Sequence, residues 1–116
     1  PRIQEKSYVY NRVRSSTEAL DLVGRIFSCH SSDVSLEGIK MHIDIELPIG
    51  ALLELEIVFK DSPGRFLQIG DVIWCDGFVD ESLEGCWYDV GVKFKTVTNP
   101  WKRAVSKLLE PEKEAG

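Results

Sequence analysis

The 116-residue chain is poor in the residue types from which metal centres and nucleophilic sites are built. Its three cysteines, Cys29, Cys75 and Cys86, form no CxxC pair, and its two histidines, His30 and His42, fall in neither HxxxH nor HExxH spacing. An odd, scattered set of thiols makes no disulfide framework and suits a reducing, cytoplasmic compartment. A metal site has too few ligands to build on. Cys29 and His30 are adjacent, but neighbours on a strand point to opposite faces, so with Asp33 they make no nucleophile–base pair. No glycine-rich phosphate loop is present. No apolar run approaches the roughly 18 residues that cross a bilayer, and no signal-peptide pattern opens the chain. Positive charge is scarce as well: 14 Lys and Arg against 19 Asp and Glu leave a net charge of −5. That balance excludes a broadly basic nucleic-acid-binding surface, while leaving room for a small anion gripped by a few local arginines. The chain is therefore expected to be no enzyme, to hold no metal or cofactor, to bind no nucleic acid and to enter no membrane.

What is present is globular. Hydrophobic residues make up 43% and charged residues 28%, and the length fits one domain, residues 1–116, with its own core. The opening on Pro1 rather than methionine leaves open whether it is part of a longer protein. After a polar start, "SYVYNRVRSSTEA" mixes aromatic and basic residues without a clear period, and residues 1–17 read as a flexible N-terminal segment.

From residue 18 to 97 the pattern is that of short strands and turns. "LDLVGRIFSCH" is β-like, with Val23, Ile26 and Phe27 available for a core and a parity break near Gly24. From about Gly38 to Leu47, Ile39, Met41, Ile43 and Ile45 alternate with Lys40, His42, Asp44 and Glu46. "ALLELEIVF" sets Leu53, Leu55, Ile57 and Phe59 against Glu54 and Glu56. "FLQIGDVIWCDGFV" is a strand with an expected bulge at Gly70-Asp71, and "CWYDVGVKFKTV" puts Tyr88, Val90, Val92 and Phe94 inward. Short strands joined by turns, without intervening helices, indicate an antiparallel sheet closed into a barrel. A helix is expected over 99–110. Asn99 serves as its N-cap, Pro100 as its first residue, and Trp101, Val105, Leu108 and Leu109 as one apolar stripe that packs on the barrel.

The segment with most chemistry is Asp33-Val34-Ser35-Leu36-Glu37-Gly38, an acid, a hydroxyl and a glycine just before a regular strand. Two roles are open to it. Asp and Ser side chains commonly bond backbone amides in turns, and Gly tolerates positive φ. Equally, the Asp33 carboxylate matches the parallel N1–H and N2–H donors of a guanine, with Ser35 beside it and Gly38 allowing close approach of a flat ligand.

The motif Asp33-x-Ser35-x-x-Gly38, the "LPIGALLELEIVF" strand, and "VIWCDG" followed by "DVGVKF" resemble a PilZ domain, the bacterial receptor module for cyclic di-GMP, over roughly residues 12–97. The resemblance implies an all-β fold: a six-stranded antiparallel barrel of Greek-key or split type with a short C-terminal helix. It also implies that cyclic di-GMP is the ligand and that a downstream protein is the partner. The family's second motif, RxxxR, is altered. Arg12 lies at the expected distance upstream of Asp33 but Tyr8 takes the place of the first arginine, and an Arg12-x-Arg14 pair remains, with Arg2 and Lys6 further back. Arg12 and Arg14 are thus either a phosphate clamp or a solvated strand end. Trp74, in "VxW", is either a stacking platform for guanine or a buried barrel aromatic. The implied ligand-binding set is Arg12, Arg14, Asp33, Ser35, Gly38 and Trp74. The implied mechanism is binding that reorders the N-terminal segment to signal to the partner. The alternative is a degenerate PilZ domain that contacts proteins without binding nucleotide.

Overall fold

The computed structural model describes residues 7–60, 64–79 and 81–109. Six strands, β1 (Ser7–Ser15), β2 (Ile26–Val34), β3 (Gly38–Ile43), β4 (Leu52–Phe59), β5 (Phe66–Phe78) and β6 (Trp87–Phe94), precede a helix, α1 (Asn99–Leu109). The strands close into a barrel in the order β1-β2-β3-β6-β5-β4, every neighbouring pair antiparallel. Period-2 patterning builds it. In β4, Leu53, Leu55, Ile57 and Phe59 are buried while the residues between them are half exposed. Val9, Val13, Met41, Val72, Val90 and Val92 complete the interior from the other strands.

Residues 7–15 belong to this barrel, which corrects the boundary drawn at residue 18. β1 pairs with β2 on one side and β4 on the other. Its inward row is Ser7, Val9, Asn11 and Val13, so two polar residues interrupt the apolar period and hide the strand. Each finds a partner inside. Ser7 and Ser31 share a 2.6 Å hydroxyl contact, and the Asn11 amide donates to the Val9 carbonyl and to Cys29 Sγ. Burial pushes the Cys29 thiol up to about 12, the hydrogen bond from Asn11 pulling against it.

Other boundaries also differ. Residues 20–22 form a 3₁₀ turn, Gly24 has a positive φ of 89°, and Val23 and Ile26 are exposed rather than core. β3 ends at Ile43, where its pairing with β6 stops at Tyr88. The helix cap is Thr98, one residue earlier than expected: its hydroxyl accepts from the Trp101 N–H and its carbonyl from the Lys102 N–H. The helix does pack on its own barrel. Trp101 is fully buried against Phe59, Phe66 and Phe94, with ring centroids 5.5–6.0 Å apart along this cluster. Leu108 packs beside it, whereas the Leu109 side chain and residue 110 lie outside the described residues.

Candidate ligand site

The Asp33–Gly38 segment is the tight hairpin between β2 and β3. The Ser35 N–H and hydroxyl both donate to the Gly38 carbonyl, at 2.9 and 3.3 Å. From outside, the Phe94 N–H donates to the Glu37 carbonyl and the Trp101 indole N–H to the Leu36 carbonyl, at 2.8 and 2.9 Å. The turn is therefore held by β6 and by α1 together. A Cβ at Gly38 would collide with the Val92 carbonyl oxygen, so glycine is needed here to let β3 start against β6. That is a different reason from the ligand approach suggested by sequence.

Two bulges decide where the candidate side chains point. Between β2 and β3, Ser31 pairs with Met41 but Asp33 pairs with Lys40, so one extra residue, Ser32, turns Asp33 to the face opposite Ser31. Between β5 and β6, Val72 pairs with Val92 but Trp74 pairs with Gly91, and the extra residue is Ile73. The bulge expected at Gly70-Asp71 thus lies at Ile73; Gly70 serves instead as a close contact to Val92 and Lys93 of β6. Without these shifts, period 2 would turn Asp33 and Trp74 into the barrel beside Ser31 and Val72.

The result is one row across four strands on the outer surface: Asp33 of β2, Lys40 of β3, Gly91 of β6 and Trp74 of β5, each paired to the next. Trp74 lies across Gly91, where any Cβ would meet the indole, and it is half exposed rather than enclosed by the barrel. Around this row is a shallow cavity of about 330 Å³ lined by Asp33, Ser35, Gly38, Lys40, Trp74 and Gly91 among others. Four of the six residues singled out from sequence meet there.

The other two do not. Arg12 and Arg14 point outward from β1, as expected of alternate strand residues, but Arg12 pairs with Ile26 at the start of β2. Asp33 is seven residues further along that strand, roughly 23 Å away at about 3.3 Å per residue. Arg14 instead faces Glu54 of β4 at 3.5 Å. The end of β1 nearest the cavity is Ser7, beside Ser31. Sequence reasoning missed Lys40, which reads only as an outward strand residue; its centrality comes from pairing with both Asp33 and Gly91.

The PilZ domain family matches this chain over residues 7–110. With its closed six-stranded barrel, the fold is that of a PilZ domain, and the chain belongs to that family. Among solved structures, it is similar to the inhibitor of motility MotI/DgrA of Bacillus subtilis (14% identity, TM-score 0.66, covering 91% of this chain and 46% of that one). It is similar also to the PilZ domain of Escherichia coli YcgR, solved with c-di-GMP (14%, 0.63, covering 93% and 85%). A third is MrkH of K. pneumonia in its apo state (17%, 0.70, covering 94% and 47%). The chain spans about half the length of MotI/DgrA and of MrkH. At these identities the likeness is one of fold. No curated protein matches the sequence.

Proposed function

We propose that this chain is a bacterial, cytoplasmic cyclic di-GMP receptor domain that acts as an adaptor, binding the dinucleotide rather than turning it over. The observation that carries the reading is the single row of Asp33, Lys40, Gly91 and Trp74, with Ser35 and Gly38 at its edge. In this reading Asp33 accepts the N1–H and N2–H donors of one guanine. Trp74 offers its half-exposed indole to a base, an interaction typically worth about 1–3 kcal/mol. Ser35 shapes the turn and presents its hydroxyl beside Asp33, and Gly38 keeps the turn pressed on β6.

Arg12 and Arg14 are too far along β1 to share a ligand with Asp33. The cations that precede Ser7 in the sequence are Arg2 and Lys6, spaced as RxxxK, and they lie outside the described residues. The reading gives the phosphate contacts of the N-terminal segment to these two. Binding that rearranges the N-terminal segment ahead of β1, which lies outside the described residues, would present a new face to a protein partner.

The test is a calorimetric titration of cyclic di-GMP into the chain and into Asp33→Ala, with GTP as control. Micromolar binding, about −8 kcal/mol, weakened at least tenfold by Asp33→Ala and absent for GTP, is the expected outcome. Absence of binding up to millimolar ligand would overturn it. The distance of Arg12 and Arg14 from the cavity favours a second reading, a PilZ barrel that contacts proteins without nucleotide, and that result would select it.

A further inference from the structure

The geometry points to Lys40 as a phosphate-holding cation of this cavity, an assignment that rests on the nucleotide reading above. A cyclic dinucleotide carries two phosphodiesters, each with one negative charge, and base stacking and carboxylate contacts do nothing to neutralise them. Lys40 occupies the middle of the row. It pairs with Asp33 on one side and with Gly91, under Trp74, on the other. Among the described residues lining the cavity it is the one cationic side chain. Its Nζ stands 5.9 Å from the Trp74 ring centroid, so a charge placed there lies between the group that would read a guanine edge and the ring that would stack on a base.

The present partner of Lys40 is poised for exchange. Nζ is 3.9 Å from Asp89 Oδ2, beyond hydrogen-bond range, and the side chain is 36% exposed. A solvated ion pair of that length contributes little, so little is lost when it opens. His42 Nε2 also lies 2.6 Å from the other Asp89 carboxylate oxygen, Oδ1. Lys40 can swing to a phosphate while the His42 ring stays beside Asp89. The half-exposed ring of Trp74 is then left for the base.

The experiment compares cyclic di-GMP binding by the parent chain, Lys40→Met and Lys40→Arg at two salt concentrations, with thermal unfolding to confirm that the outer-face variants fold. Lys40→Met keeps the aliphatic stem and removes the charge. Loss of a charge-assisted contact predicts binding weakened by about tenfold or more in Lys40→Met. Its affinity should also depend less on salt than the parent's, because one fewer phosphate charge is neutralised. Lys40→Arg should stay within about threefold of the parent. A parent that binds while Lys40→Met binds equally or more tightly overturns the role of Lys40 alone, and tighter binding would mean that the lysine obstructs the Trp74 face. A parent and variants that all fail to bind overturn the nucleotide reading itself, and the role of Lys40 with it.

Discussion

The two ends of the β1–β2 ladder carry residues of the same apparent promise and opposite fate. At one end, Asp33 meets Lys40, Gly91 and Trp74 around a cavity. At the other, Arg12 and Arg14 stand exposed over Ile26 and Glu54, with Arg14 drawn toward an acid of its own sheet. The first end is cross-braced: β6 and Trp101 both hydrogen-bond the turn that follows Asp33. The second also borders a cavity, of about 380 Å³, but one that Arg12 shares with Ile26, Leu67 and the carboxylates Glu54 and Glu56. What separates the two is the company each keeps: Asp33 converges with a lysine, a hydroxyl and an indole, whereas Arg12 sits among acids and aliphatic side chains.

The largest effect expected at the braced end is that of Trp101→Ala. The indole is fully buried, and it both fills the barrel end and holds Leu36. Truncating it should cost about 3–5 kcal/mol in urea unfolding. If cyclic di-GMP binding survived intact in such a variant under folding conditions, the bracing of the turn would be irrelevant to the site.

Next comes Cys29, midway along β2. Its thiol, raised to about 12 from the ordinary 9.0, stays protonated in the folded chain while the unfolded chain ionises. The stability it contributes is complete below pH 9 and is lost as pH rises toward 12. Alkaline unfolding curves should therefore be flatter in Cys29→Ala than in the parent. A thiol reagent should modify exposed Cys86 well before Cys29.

Gly38→Ala sharpens the contrast from the backbone side. The added methyl must move the start of β3 away from the Val92 carbonyl, and about 1–3 kcal/mol of stability should go with it. Asp33→Ala and Arg12→Ala then form the direct comparison: at least a tenfold loss of ligand affinity, about 1.4 kcal/mol, for the first, and less than about twofold for the second. Equal losses would place Arg12 in the site after all. The smallest effect is expected for Arg14→Ala, whose exposed pairing with Glu54 predicts under about 0.5 kcal/mol in unfolding free energy.

The alternation in β3, β4 and β6 is legible in the chain because their inward positions are nearly all apolar. Wherever that is true, period 2 alone names the face. The same rule failed for β1, where Ser7 and Asn11 lie inside and hydrogen-bond Ser31, the Val9 carbonyl and Cys29, contacts that form only on folding. The helix was found from its apolar stripe, and its cap missed by one residue because Thr98 and Asn99 are both good caps.

The candidate site divides along the same line. Composition, strand periodicity and the order Asp33-x-Ser35-x-x-Gly38 determined an antiparallel barrel and one chemically distinctive turn, since both depend on residues near each other in sequence. Tertiary structure decided which side chains share that turn's surface. A bulge adds one residue to one strand and reverses every side chain beyond it, so the outward aim of Asp33 and Trp74 depends on how strands pair, not on their own patterns. Pairing also put Lys40 at the centre of the row and left Arg12 and Arg14 a strand's length away, because register, which joins residues distant in sequence, is set by the closure of the whole barrel.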